Sequence, residues 1–168
     1  MSIFKTIKPQ DLRDNPFKLI GGDWMLITAG TKESFNTMTA SWGGLGVLWD
    51  KEVAFAFVRP TRHTFSFMEK APVFTLSFFA EEYRSKLEFC GAHSGRDVNK
   101  VAKTGLTPVF GEAGEIYFSE ARLVLLCRKL HAQNLDPAGF LDPKITEFYA
   151  QRDYHRLYIG EITRCLVR

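Results

Sequence analysis

The chain has 168 residues, of which 45% are hydrophobic and 24% charged, and this balance predicts one globular domain over residues 1–168. The formal net charge of +3, without a dense cluster of Lys and Arg, argues against a nucleic-acid partner. The first residues lack the apolar segment of a signal peptide, and no apolar run approaches the roughly 20 residues that span a bilayer, so we expect no membrane association. Cys90, Cys127 and Cys165 form no CxxC pair, and their expected role as small buried apolar residues favours a reducing, cytoplasmic setting.

The first half of the chain predicts several strands. Residues 24–29 form an apolar run typical of a strand, residues 30–34 favour a turn, and the segment NTMTASW at 36–42 predicts an irregular strand running back. Residues 53–58 alternate bulky and small apolar side chains, which predicts a strand buried on both faces. Residues 72–79 predict another strand, which begins at a proline where a missing N–H is tolerated.

Short helices are predicted over residues 61–70, 82–90 and 97–103. For the first of these, Thr61 or Thr64 is the expected N-cap, because a hydroxyl oxygen can accept from a free N–H group. For the last, Asp97 is the expected cap, and Gly105 is expected to end the helix.

The second half of the chain turns to strands. Residues 115–118 and 121–130 are candidates, residues 135–139 favour a loop, and residues 154–162 predict a late strand. The apolar parity of that late strand shifts at Gly160, which predicts a bulge there. Many strands, few helices and no internal repeat predict a mainly β fold, a β-barrel with small peripheral helices.

Arg59, Thr61 and Arg62 follow a predicted buried strand at the point where a helix begins. A helix start offers free N–H groups to an anion, and arginine donates two parallel hydrogen bonds to phosphate. Two interpretations stay open: an anion site, or two solvated surface arginines beside a capped helix.

A second basic turn, CGAHSGRD, also precedes a predicted helix. Ser94, the Gly95 N–H and Arg96 are candidates to face an anion, with Lys100 one turn further on. The alternative is an ordinary link between two helices with Asp97 as the cap. Two such stretches in one small domain favour a ligand that carries a phosphate.

The NTMTASW segment suits a backbone-rich ligand cradle. Its candidate binding residues are Asn36, Thr37, Met38, Thr39, Ala40, Ser41 and Trp42. Small side chains in the middle of the segment would let its amide and carbonyl groups approach the pyrimidine edge of a flavin ring, and Trp42 would pack on a ring. Gly43, Gly44 and Gly46 would permit a bulge or a close contact. The alternative is a loop with a bulged strand behind it.

Other site motifs are missing from the sequence. The pattern that begins at Gly44 and Gly46 lacks the third glycine of GxGxxG, because Trp49 occupies that place. No GxxxxGK[ST] occurs, and the four histidines show no metal-binding spacing. His155 stands at the start of the late strand, where it would either lie over a ligand or be an exposed strand-end side chain.

The motifs NTMTASWGGLGVLW, VRPTRHTFSFMEK, FTLSFF, CGAHSGRD and HRLYIGEI, in this order, resemble those of the flavin reductase-like, flavoredoxin-type FMN-binding split barrels. The resemblance runs from about Trp24 to the last strand. It implies an FMN-binding split β-barrel and a homodimer with FMN near the subunit interface. It places the flavin ring along residues 36–42, and the phosphate at Arg59, Thr61 and Arg62 with help from the SGRD turn.

The family's late-strand motif usually has histidine directly after aspartate, whereas Tyr154 stands between Asp153 and His155 here. The resemblance implies a position for His155 near the flavin or nicotinamide. It also implies reduction of flavin, or of a small acceptor through bound flavin, by NADH or NADPH. The hydride chemistry would belong to the cofactor. The alternatives are an electron carrier that holds FMN permanently and exchanges electrons with a redox protein partner, and a flavin-binding protein with another partner.

Overall fold

The computed structural model describes residues 4–168, and within them an eight-stranded antiparallel sheet forms the centre of the fold. Its order is β3-β2-β6-β9-β10-β5-β4, and β1 pairs with the far end of β10. A separate two-stranded ribbon joins β7 to β8. The strands are β1 (Lys5–Ile7), β2 (Met25–Gly30), β3 (Phe35–Ala40), β4 (Gly43–Leu48), β5 (Lys51–Val58), β6 (Val73–Phe78), β7 (Pro108–Phe110), β8 (Ile116–Phe118), β9 (Leu123–Asn134) and β10 (Arg156–Val167).

The sheet is open along one line, because no pairing joins β3 to β4 in the part of the chain that the structure describes. Only Ser41 and Trp42 link these two edge strands. The segment NTMTASW therefore runs along one edge of the sheet and crosses to the other. The prediction of a mainly β fold is confirmed.

Strand β4 was not predicted, because its glycines suggested only a bulge or a close contact. The close contact is what the structure shows. A Cβ on Gly43 would lie 2.8 Å from the carbonyl oxygen of Phe55, and one on Gly44 would lie 3.4 Å from the Phe55 ring. Glycine thus lets β4 pair closely with β5.

The prediction that both faces of strand β5 are buried is wrong. Its small residues Ala54 and Ala56, with Val58, pack into the main core, where Phe74 and Tyr158 also lie. Phe55 and Phe57 stand on the opposite face and are only half-buried. The bulky residues therefore remain available to line a surface cavity.

The helices are α1 (Thr64–Lys70), α2 (Arg84–Ala92) and α3 (Lys100–Thr104), with short 3-10 segments at Pro9–Asp11, Glu81–Tyr83, Pro137–Gly139 and Pro143–Tyr149 and a π-helical turn at Lys18–Asp23. The predicted N-caps are wrong. His63 occupies the N-cap position of α1 without a side-chain cap, and Asn99 caps α3 by accepting from the Ala102 N–H at 3.0 Å. Asp97 belongs instead to a turn closed by its own N–H and the carbonyl of Ser94. Gly105, at φ 66°, ends α3 as predicted.

The predicted bulge in the late strand is confirmed, because the β9–β10 register shifts between Ile159 and Gly160. A Cβ at Gly160 would lie 2.6 Å from the ring of Phe74, so only glycine fits against that core ring. The three cysteines are free and buried, as predicted.

No helix among residues 4–168 is both long and apolar enough to cross a membrane. The prediction that the chain begins without a signal peptide concerns in part residues 1–3, which lie outside the described residues.

Candidate functional site

A cavity of about 210 Å³ opens where the chain crosses between the two sheet edges. We call it the strand-edge cavity. It is lined by Met38, Thr39, Ala40, Ser41, Trp42, Phe57, Arg59, Arg62 and His155. One wall is thus the end of β3 and the link that follows it, and another is the outward face of β5.

The residues of the NTMTASW segment form two groups, of which only one lines the strand-edge cavity. Asn36 and Thr37 are buried and bonded internally: the Asn36 amide donates to the Thr64 hydroxyl at 2.8 Å, and the Thr37 hydroxyl lies 2.8 Å from that of Thr28. The other five residues line the strand-edge cavity. Thr39 donates its hydroxyl hydrogen to the carbonyl of Leu87 at 2.5 Å, which ties this wall to α2.

A second cavity, of about 230 Å³, adjoins the first. We call it the arginine cavity. Its lining residues come from the start of α1, the end of α2 and the turn before α3: Asn36, Thr61, Arg62, His63, Thr64, Gly91, Ala92, His93, Ser94, Gly95, Arg96 and Lys100. Three of these residues, Arg62, Arg96 and Lys100, carry a positive charge, and none of the twelve lining residues is acidic. Arg62 lines both cavities.

Arg62 carries an unsatisfied buried donor. Its Nη1 donates to the carbonyl of Gly91 at 3.2 Å, whereas its buried Nη2 has no hydrogen-bond partner among the described residues. Burial and then the charge of Arg59 lower the pKa of Arg62. A buried cationic N–H without an acceptor is costly, and an anion at this point would satisfy it.

Lys100 adds a second buried cation. It is 5% exposed, and its Nζ donates to the carbonyls of Thr37 at 2.8 Å and Cys90 at 2.7 Å. Burial, opposed by Cys90 and reinforced by the charge of Arg62, lowers the pKa of Lys100 to about 8. Burial also lowers the pKa of His63, with help from the charges of Arg96 and Lys100 and against the opposing charge of Asp97. The lining of the arginine cavity is therefore electropositive and contains no carboxylate.

The predicted trio of Arg59, Thr61 and Arg62 does not face one point. Arg59 lines the strand-edge cavity, Thr61 lines the arginine cavity, and only Arg62 reaches both. The Nη1 of Arg59 donates to Asp153 at 3.0 Å and its Nη2 to the carbonyl of Phe148 at 2.9 Å. Burial of Asp153 raises its pKa. Hydrogen bonds from Arg59, from the Asp153 backbone and from Thr61 outweigh burial and lower the pKa of Asp153 overall.

The SGRD turn lies beside the arginine cavity. The Ser94 hydroxyl accepts from the Arg96 N–H at 3.2 Å, and Arg96 Nη1 donates to the carbonyl of Thr61 at 3.2 Å. Gly95 is required here, because a Cβ would lie 2.0 Å from the Asn36 amide oxygen. The turn thus packs directly on β3, which brings the two predicted basic stretches together.

His155 is not an exposed strand-end residue, since its side chain is 8% exposed. Its Nδ1 lies 2.7 Å from the hydroxyl of Tyr149, and its ring centre lies 5.3 Å from that of Trp42. Burial and the nearby charge of Arg59, opposed by Asp153, lower the pKa of His155 to about 4. The imidazole is therefore neutral at pH 7 and forms part of an aromatic wall.

Sequence reasoning missed Phe57 and His63. The signal for Phe57 was its position on the face of β5 opposite the core-facing alanines. His63 had no such signal, because its place beside Arg96 and Lys100 depends on how α1 packs near the turn before α3. No cluster of residues able to hold a metal ion occurs in residues 4–168.

Taken together, the two cavities suit a ligand with a flat neutral ring and an anionic end. The strand-edge cavity offers main chain, small side chains and aromatic walls, whereas the arginine cavity offers cations and the unpaired Nη2 of Arg62.

Residues 18–168 match the family model described as a flavin reductase like domain, and the chain belongs to this family. No curated protein sequence matches the chain significantly.

Solved structures similar to this one include flavoredoxin from Methanosarcina acetivorans, with 20% identity, a TM-score of 0.67, and coverage of 87% of this chain and 68% of that chain. An FMN-binding protein from Thermus thermophilus with bound p-hydroxybenzaldehyde has 20% identity, a TM-score of 0.68, and coverage of 98% and 82%. A Shewanella frigidimarina structure described as having a split barrel domain has 17% identity, a TM-score of 0.69, and coverage of 96% and 75%. The resemblance and the split-barrel fold predicted from the sequence are confirmed.

Proposed function

We propose that the protein binds FMN, with the flavin ring in the strand-edge cavity and the phosphate in the arginine cavity. The observation that carries this proposal is the buried, unpaired Nη2 of Arg62, which lies where an aromatic cavity meets a cation-rich one. A phosphate oxygen would satisfy that donor and offset the burial of Lys100. Membership of the flavin reductase-like family and the FMN-binding neighbour from Thermus thermophilus support the proposal.

Each wall of the strand-edge cavity has a role in this proposal. The main chain of residues 39–41 would meet the hydrogen-bonding edge of the ring, because these side chains are small enough to allow close approach. Trp42 and Phe57 would exclude water from the ring, and His155 would remain neutral beside it. Bound FMN would supply the electron-transfer chemistry, and the protein would bind and orient it.

The activity we propose is reduction of flavin, or of a small acceptor through bound flavin, with NADH or NADPH as the electron donor. The family description favours a reductase, and the Thermus thermophilus neighbour is described with a small ring aldehyde bound. A flavoredoxin-like electron carrier with permanently bound FMN and a redox protein partner is the second candidate. The Methanosarcina acetivorans neighbour, described as a flavoredoxin, favours this alternative.

We further propose a symmetric homodimer that completes the flavin site. Several large apolar side chains near β4 are exposed: Phe17 (86%), Trp42 (44%), Val47 (75%) and Trp49 (56%). Trp49 and Asp50, both at φ 54°, form the two-residue tip of the β4–β5 hairpin. Because Trp42 also lines the strand-edge cavity, a partner that covers this face would lie next to the flavin. The free, buried cysteines support a reducing, cytoplasmic setting.

The test begins with the visible spectrum of the purified protein after FMN is added and excess FMN removed. Each pyridine nucleotide is then added anaerobically while the flavin absorbance is followed. Rapid bleaching by one nucleotide is the result expected of a reductase. Retention of FMN without bleaching would favour the electron carrier, and failure to bind FMN at micromolar concentration would overturn the proposal.

A further inference from the structure

The chain between β9 and β10 packs against the outside of the strand-edge cavity. We call residues 135–154 the β9–β10 connection. The ring of Phe148 meets that of Trp42 edge to face, with centres 5.3 Å apart, and the Tyr149 hydroxyl lies 2.7 Å from Nδ1 of His155. Trp42 and His155 both line the cavity, so the connection supports two of its walls from behind.

Arg59, a third lining residue, contacts three residues of this connection. Its two terminal nitrogens donate to Asp153 at 3.0 Å and to the Phe148 carbonyl at 2.9 Å, and its guanidinium carbon lies 4.9 Å from the centre of the Tyr149 ring. The side chains of the ion pair are 26% and 13% exposed. A planar guanidinium can make all these contacts at once, whereas a lysine ammonium cannot.

Apart from Arg59, the connection is held by the Tyr149–His155 hydrogen bond, the Phe148–Trp42 ring contact and a bond from the Thr61 hydroxyl to Asp153 at 3.4 Å. Tyr149 is its one buried residue, and Leu141 is 96% exposed. Segments with few buried apolar contacts open at low cost in free energy, so their closure depends on specific polar contacts. Here two of those polar contacts, to Asp153 and to the Phe148 carbonyl, are made by Arg59.

We propose that Arg59 is a positioning residue, which holds the β9–β10 connection closed against the strand-edge cavity and so retains the bound flavin. This role replaces the phosphate contact expected for Arg59 from the sequence. The inference rests on the proposed flavin-binding function. The connection then keeps Trp42 and His155 in place as walls of the cavity, so loosening it accelerates flavin release.

Comparison of FMN with riboflavin, which lacks the phosphate, tests this role. Flavin release from the loaded protein is followed by the recovery of flavin fluorescence after dilution. Arg59→Ala is expected to accelerate the release of both flavins by the same factor, about tenfold. Arg62→Ala is the matched control, and it should accelerate the release of FMN much more than that of riboflavin. Faster release of FMN alone from Arg59→Ala, or no change for either flavin, would overturn the proposal.

The flavin-free protein supplies an independent measurement. Chymotrypsin cleavage after Leu141 and Phe148 should be faster in Arg59→Ala and Asp153→Asn than in wild type, and the double variant should add little to either. The exchanged pair Arg59→Asp/Asp153→Arg should regain part of the protection. Additive effects of the two single changes, or unchanged cleavage, would contradict a shared role.

Two further variants keep the test decisive. If Arg59→Ala does not fold, Arg59→Lys and Asp153→Asn take its place, since both keep most of the side-chain volume. A wild-type protein that binds neither flavin would refute the proposed function, whereas the cleavage data would still decide whether Arg59 holds the connection.

Discussion

The buried ammonium of Lys100 donates to the carbonyl oxygen of Thr37 at 2.8 Å, which joins the first turn of α3 to the edge strand β3. This bond lies between the arginine cavity and β3, the strand that contains the first five residues of the NTMTASW segment. The two basic stretches and the NTMTASW segment are thus parts of one continuous surface. Lys100 needs a counter-ion that the described residues around it do not provide.

The first prediction concerns Arg62, whose unpaired Nη2 is assigned to the phosphate. Arg62→Ala should weaken FMN binding about ten- to a hundredfold and leave riboflavin binding nearly unchanged, because only FMN carries the anion. Titration of both flavins by fluorescence quenching measures the difference. Arg164→Ala, an exposed change outside both cavities, is the control. Equal weakening of both ligands would refute the phosphate assignment.

The second prediction concerns the pH dependence of stability due to Lys100. Its pKa is about 8 in the folded chain and near 10.5 in the unfolded chain, so the unfolded state binds more protons between these values. The free energy of unfolding of the flavin-free wild type should therefore rise with pH in this window, relative to Lys100→Met, by at most about 3 kcal/mol. Urea unfolding at pH 7.5, 9 and 10.5 would test it, with Lys103→Met as a control on the same helix. Parallel curves for wild type and Lys100→Met would contradict it.

A third prediction concerns the preference for FMN over riboflavin as pH rises. A bound phosphate would stabilise the charged form of Lys100 and raise its pKa, so FMN binding should take up protons near pH 8. The ratio of riboflavin to FMN dissociation constants should fall above this pH in wild type. It should be nearly independent of pH in Lys100→Met, and a falling ratio in that variant would assign the effect to another group.

The fourth prediction concerns the backbone cradle at residues 39–41. Ala40→Leu should lose most FMN affinity, because a larger side chain holds the ring away from several main-chain groups at once. Ser41→Ala should keep most of it, since each neutral hydrogen bond contributes only about 0.5–1.5 kcal/mol. Thr39→Ala should also bind FMN but unfold more easily, because it loses the bond to the Leu87 carbonyl. Wild-type affinity in a folded Ala40→Leu protein, verified by circular dichroism, would exclude the cradle.

The fifth prediction concerns acid stability and His155. Its pKa of about 4 lies below the unfolded value of 6.5, so the unfolded state binds more protons between these values. This contribution to stability is present above pH 6.5 and should be lost as the pH falls towards 4. His155→Gln should flatten the curve, whereas Tyr149→Phe should keep a pH-dependent slope and lower stability by about 1 kcal/mol near pH 7. An unchanged slope in His155→Gln would rule out His155 as the titrating group.

The last prediction concerns the proposed dimer. Light scattering of the FMN-loaded protein should report twice the 19.2 kDa chain mass. Trp49→Glu should shift the protein towards the monomer, because a carboxylate would be buried in an apolar interface. Leu141→Glu, at a residue that is 96% exposed and outside the hairpin, should remain dimeric. A monomeric wild type that holds FMN tightly would refute this arrangement.

Local sequence pattern determined much of this protein. The apolar runs predicted β2, β5 and β6 to within a few residues, the NTMTASW segment predicted β3, and the parity shift located the bulge at Gly160. The start of β10 was also predicted, although this strand continues to Val167 instead of ending at residue 162. Basic residues after β5 and before α3 marked both stretches that line the arginine cavity. These features depend on side-chain periodicity and on turn residues, and both are visible in residues that are close together in the sequence.

Only the tertiary structure decided how the site is divided. Arg59 and Arg62 are three positions apart and look equivalent in sequence, but Asp153 and Phe148, some ninety residues further on, bind Arg59 and leave the Nη2 of Arg62 unpaired. His155 could have been an exposed strand-end residue by its sequence position. In the structure its imidazole is buried and lines the strand-edge cavity, because the β9–β10 connection packs against it. Burial and long-range pairing set these charges and donors, and neither can be read from residues that are adjacent in the chain.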